Sequence, residues 1–125
     1  MRAPGWRGLA LLLGGSGILH LVRPQIYEPL IPPSLGSPRS WVIGSGVAEI
    51  ACAAGLSSRS VRRQAALASA ALLVVVFPGN IQHARRALGS SRTSTRYRAG
   101  TLARLPVQAP LVAWALRVAR EAGPA

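Results

Sequence analysis

Trp41 to Leu56 reads WVIGSGVAEIACAAGL, sixteen apolar and small residues with a single carboxylate, Glu49, in the middle. Length and apolarity suit a helix crossing a membrane, where a central charge costs about 2.5–3.5 kcal/mol on insertion scales. That cost is usually offset by a partner on a neighbouring helix. The other two acids of the chain, Glu28 and Glu121, lie outside the apolar runs. The partner of Glu49 is therefore the question on which the reading turns.

Three further apolar runs flank this stretch, and the helices are expected at about 6–22, 41–56, 64–82 and 102–118. Half of the 125 residues are hydrophobic and only 14 % are charged, against about 25 % in soluble domains. Leu67 to Phe77 carries no charge at all, so the alternation of apolar and charged faces expected of a soluble bundle is missing there. The expected fold is all-α: a four-helix antiparallel transmembrane bundle in a single domain. Each run is about fifteen to eighteen residues, at the short end of the roughly 17–25 needed to span. A turn of helix in each flank, with snorkelling arginines, makes up the difference.

The first run begins with basic residues, a pattern shared with secretory signal peptides. No A-x-A site follows, and the run ends in His20 and Arg23, so a retained helix is expected. Pro24 to Ser40 holds five prolines, too many for a regular helix. It also carries Ile26, Tyr27, Leu30, Ile31 and Leu35, which suit a structured segment at the membrane interface, capping the bundle between the first two helices. Gly14 to Gly17 and Gly44 to Gly46 leave thin helix faces, which let backbones approach closely in lipid. His83 to Gly100, rich in arginine and serine, reads as a flexible loop.

All fifteen basic residues are arginine, the net charge is +12, and the arginines fall between apolar runs. With only six aromatics, of which Trp6, Trp41 and Trp114 lie within or at the ends of apolar runs, nucleic-acid recognition is not supported, and anionic lipid headgroups account for the charge. Arg2, Arg7, Arg59, Arg62, Arg63, Arg117 and Arg120 fall on one side and Arg23, Arg39, Arg85, Arg86, Arg92, Arg96 and Arg98 on the other. That tie leaves the first helix to set orientation, with both termini cytoplasmic in the cell membrane. Cys52 is the single cysteine, which excludes an intrachain disulfide and a dithiol redox pair.

Antiparallel passes bring the strongly polar side chains to one depth. Ser16 and His20, Ser45 and Glu49, and Arg104 and Gln108 are each four apart, so each pair shares a helix face. Glu49 lies roughly 12 Å below Trp41 along its helix. Arg104 is the expected counter-ion of Glu49, with His20, Asn80 and Gln108 completing the network and Tyr27 roofing it. Three readings of the set His20, Tyr27, Ser45, Glu49, Asn80, Arg104 and Gln108 stay open: a structural clasp, a pocket for a headgroup-like or quinone-like ligand, and a proton relay through His20 and Glu49. There is no Ser/His/Asp order, as aspartate is absent, and there is no phosphate loop and no metal constellation beyond a His–Glu contact.

The order His20, Arg23-Pro24, Tyr27, Ile31-Pro32-Pro33, Ser45-Gly46-Val47-Ala48-Glu49-Ile50, Phe77-Pro78-Gly79-Asn80 and Arg104-Leu105-Pro106-Val107-Gln108 resembles the small DoxX-like membrane proteins of bacteria. Gly79 stands where an alanine is more usual, and Leu35-Gly36 replaces Leu-Pro. The resemblance implies a four-helix integral membrane protein, and some members of the wider group are associated with quinone-linked oxidation of sulfur compounds or with oxidative-stress complexes. The expected role is a non-catalytic subunit, or a small-ligand or quinone-binding partner of a membrane oxidoreductase. A small permease or proton conductor is the alternative. An oligomer is compatible with either.

Overall fold

A computed structural model describes residues 5–31 and 33–122; Arg2 and Pro32 lie outside the described residues. The chain is all-helical, with no strand among those residues. Its α-helices are α1 (Trp6–Val22), α2 (Pro38–Leu56), α3 (Arg62–Gly89) and α4 (Thr95–Ala122). Three short 3₁₀ turns, Pro24–Ile26, Glu28–Leu30 and Pro33–Leu35, occupy the proline-rich segment.

Helix limits follow local chemistry. Arg23 precedes a proline and is pushed out of the helical region, to φ −131° and ψ 61°, which ends α1. The segment Pro24–Leu30 then turns away from α1 by 99°. At the start of α2, Ser37 accepts the Ser40 N–H at 3.4 Å and Pro38 occupies the first turn, so the helix opens three residues before the apolar run does.

The stretch expected to be a flexible loop, His83 to Gly100, is mostly helix. α3 runs through Pro78 to Gly89 because one of its faces stays buried past the apolar run. Asn80, His83, Ala84 and Ala87 repeat at helical spacing against α4. Thr101, Gln108 and Ala115 on α4 are buried at heptad spacing. The turn between the helices is held by side chains. Arg98 donates to the carbonyls of Ser90 at 2.6 Å and Ala87 at 3.3 Å, placing a cation on the open carbonyls of the α3 C-terminus. Ser94 accepts the Tyr97 N–H at 3.1 Å, in the manner of an N-cap.

α1 pairs with α2 and α3 with α4, and α2 joins the two pairs through α3, while α1 touches α4 only lightly. At one end Leu9, Leu13, Leu56, Ala66, Ala70, Leu73, Ala115, Val118 and Ala119 form a closed apolar core, with Cys52 packed against it. At the other end the helices part around a cavity. The α1–α2 crossing is a backbone contact. A Cβ on Gly17 would lie 2.7 Å from the Gly46 carbonyl, and one on Gly46 would lie 2.7 Å from His20 Cβ and 2.9 Å from the Gly17 carbonyl. The outer surface is apolar, with Leu11 78 % and Val75 71 % exposed alongside Ile18, Val47 and Val74. By length and composition α3 is long and apolar enough to cross a membrane, and α1 becomes a second such element if taken with the bent segment Pro24–Leu30.

Two outcomes are expected. Gly46→Leu, which drives a side chain into α1, lowers stability by about 1–3 kcal/mol or more, whereas Gly79→Ala, whose Cβ would sit at ordinary distances of 3.4–3.5 Å from Leu30, is neutral or stabilising because alanine favours a helix by about 1 kcal/mol; thermal unfolding in mild detergent ranks them. Arg98→Ala frees the α3–α4 turn, so amide hydrogen exchange between residues 87 and 98 speeds up while exchange around Gly46 does not change.

Candidate functional site

The cavity measures about 370 Å³ and lies among all of the α-helices and the 3₁₀ segment. Its lining includes every one of the seven polar residues singled out from the sequence: His20, Tyr27, Ser45, Glu49, Asn80, Arg104 and Gln108. Five of them form two separate clasps on different walls instead of one network; Ser45 and Arg104 stand on the lining outside both.

The first clasp joins α1 to α2. His20 and Glu49 are both buried, with His20 Nδ1 3.3 Å from Glu49 Oε2. The crossing explains the meeting. Gly46 lies under His20 and Gly17 under Glu49, since a Cβ on Gly17 would also come within 3.2 Å of Glu49 Cβ. Each ionisable side chain thus stands over a glycine of the opposite helix, and only glycine leaves room for both. His20 Nδ1 also approaches the Ser16 carbonyl at 2.6 Å. A carbonyl can only accept, so Nδ1 carries the proton and, in the neutral ring, Nε2 keeps the lone pair. Tyr27 lies flat against the imidazole, with ring centroids 3.7 Å apart and planes 11° from parallel. Glu49 Oε2 is buried without a hydrogen-bond partner.

The second clasp joins α3 to α4. Asn80 Nδ2 donates to Gln108 Oε1 at 3.3 Å, and Gln108 Nε2 donates to the Leu73 carbonyl. Three prolines break the backbone ladders of these helices near the clasp: Pro78 in α3, and Pro106 and Pro110 in α4. Pro78 removes the N–H that would bond the Val74 carbonyl, and the Gln108 amide bonds the carbonyl of the residue before it, Leu73. Ser45, one turn before Glu49, is half-buried on the lining.

Arg104 is not the counter-ion of Glu49. No ion pair joins them among the described residues; Glu49 meets His20, Glu28 meets Arg39 at 2.9 Å, and Glu121 meets Arg117 at 3.5 Å. The glycine crossing brings α1 onto α2 before any residue of α4 can reach the carboxylate. Arg104 remains exposed, on the lining of the cavity.

Sequence reasoning missed the second histidine. His83, assigned to a loop, is buried on α3, and its Nε2 is hydrogen-bonded to the Tyr97 hydroxyl; the signal was its place three residues after Asn80 on one helical face. Trp41 was also missed as a wall residue. It lines the cavity and its Nε1 donates to the Leu35 carbonyl at 2.8 Å, tying the 3₁₀ segment to α2. Among the described residues no three His, Cys, Asp or Glu side chains are grouped to hold a metal ion.

Residues 9–119, which carry both clasps and the whole cavity, match a family described as a domain of unknown function, DUF8561. The chain belongs to the DUF8561 family. No curated protein and no solved structure matches it. For this DUF8561 chain, function has to be argued from the cavity itself.

A double-mutant cycle tests the first clasp. His20→Leu and Glu49→Leu each destabilise by stranding the other polar group, and the double variant recovers part of the loss, with a coupling of about 1–3 kcal/mol. Additive losses in denaturant titrations would show that the two side chains act independently.

Proposed function

We propose that this chain is a multi-pass protein of the cell membrane, a four-helix antiparallel transmembrane bundle whose cavity holds a small lipid-soluble ligand. In this reading it serves as a non-catalytic subunit or ligand-binding partner of a membrane oxidoreductase. The observation that carries the proposal is the meeting of all seven polar residues around one cavity in a chain whose outer surface is apolar. A volume of about 370 Å³ falls in the range of roughly 300–1,000 Å³ typical of small-molecule sites.

The exposed apolar side chains favour lipid as the surrounding medium. Many exposed large apolar side chains are unusual on a soluble monomer, and here they occur on all of the α-helices, among them Leu11, Val47, Val75 and Val107. Ionisable groups at such depth are functional candidates by default. The likeness to DoxX-like proteins, in the order of polar residues from His20 to Gln108, supports the link to quinone-linked oxidation and to an oxidoreductase partner. A ring-sized head such as a quinone suits the mixture of polar clasps and apolar wall.

A permease is less well supported. The end opposite the cavity has a core packed around Leu9, Leu56, Ala66 and Ala115, all at 0 % exposure, which favours a pocket over a path.

The expected result is that the full chain stays in the membrane pellet after alkaline carbonate extraction, and that native mass spectrometry from mild detergent finds a small apolar molecule bound. That molecule is lost in Glu49→Gln. Release of the protein by carbonate would remove the membrane reading, and a ligand-free spectrum for the wild type would remove the binding role.

A further inference from the structure

We infer that a groove on the outer face of the α3–α4 pair, flanked by Arg63 and Arg120, holds one anionic phospholipid by its head and the upper part of its chains. This rests on the membrane placement proposed above and not on the ligand of the cavity. The groove measures about 370 Å³ and lies at the closed end of the bundle, since Ala119 belongs both to its lining and to the apolar core there. Helical spacing builds it. Leu67 follows Arg63 by four residues on α3, and Leu116 precedes Arg120 by four on α4, so each arginine stands over a leucine one turn deeper. The helices are antiparallel, which brings both arginines to the same end. The other two lining residues, Ala113 and Ala119, have too little side chain to fill the space.

Neither arginine has a counter-ion among the described residues. Glu121 pairs with Arg117 at 3.5 Å, while Glu28 and Glu49 are held at the other end by Arg39 and His20. Arg62, beside Arg63 in the chain, is committed elsewhere: it donates to the Leu56 carbonyl at 2.7 Å and lies over the Trp6 ring at 4.2 Å. The groove thus presents two positive charges and no acid, with an otherwise apolar lining. That combination calls for a negative head and an apolar body in one molecule. Free phosphate lacks the body and a zwitterionic lipid lacks the net charge. Guanidinium groups bind phosphate oxygens through short, charge-assisted hydrogen bonds, and basic pockets between spanning helices suit anionic lipid heads. Depth agrees with this assignment. Residues 64–82 of α3 carry no charge, so Arg63 stands at the edge of the apolar span, level with headgroups, and Leu67 lies beneath it among the chains.

The test uses the full chain in nanodiscs of equal parts dioleoyl phosphatidylglycerol and dioleoyl phosphatidylcholine, with the lipid that stays bound after release from the disc counted by native mass spectrometry. The wild type is expected to keep one phosphatidylglycerol about tenfold over phosphatidylcholine. Arg63→Gln with Arg120→Gln abolishes that preference. Arg85→Gln with Arg86→Gln, an equal loss of charge at exposed positions on the other end, leaves it in place. Ala113→Phe keeps both charges but fills the groove, and it too loses the lipid. Equal retention of the two lipids by the wild type would overturn the site. A preference lost equally with either pair of arginines overturns it as well, because net charge alone would then be the cause. So does one that survives in Ala113→Phe, since the groove would play no part. The wild-type measurement stands by itself, whatever the variants do to folding. Failure of this site leaves carbonate extraction and the cavity's occupancy untouched, whereas release by carbonate would remove the membrane reading and this site with it.

Discussion

Contact between the backbones of α1 and α2 at Gly17 and Gly46 is the constraint on which the rest depends. Their carbonyls and Cα atoms approach so closely that a methyl group on either would collide. Such close packing brings the two helices into direct van der Waals contact along the crossing. It also decides where the charges go. Antiparallel helices crossing at these glycines set His20 over one and Glu49 over the other, so the acid finds its partner on α1.

That first pairing shapes the cavity. With Glu49 held by His20 and stacked Tyr27 behind it, and with Gln108 bound to Asn80 and to the Leu73 carbonyl, polar groups are drawn to the walls and the centre stays open. The 3₁₀ segment closes over it, with Leu30 buried against Gly79 and Leu35 bonded to Trp41. The opposite end has no such demand, and small alanines with a few leucines pack its core. That asymmetry, a packed core at one end and a cavity at the other, is what the proposed ligand-holding role rests on.

Much of this was legible from residue order alone. The helical class followed from apolar runs, the polar set followed from i, i+4 spacing and antiparallel depth, and the thin faces at Gly14–Gly17 and Gly44–Gly46 were visible as small residues. Two expectations failed for identifiable reasons. Arg104 was paired with Glu49 because opposite charges at one depth attract, yet depth says nothing about which helices touch. The segment after Ile81 was read as a loop because its composition is polar. Composition averages over all sides of a helix, whereas His83, Ala84 and Ala87 needed only one buried side, with Arg98 and Ser94 closing the ends.

What the sequence determined by itself was the inventory and its heights: helical stretches, their order, and a level at which histidine, glutamate and amides would collect. Such properties are local, set by spacing along one chain and by proline and glycine chemistry. Only the tertiary structure decided who meets whom, because partner choice depends on interhelical distance. Here that distance is governed by two glycines whose importance comes from the atoms they lack.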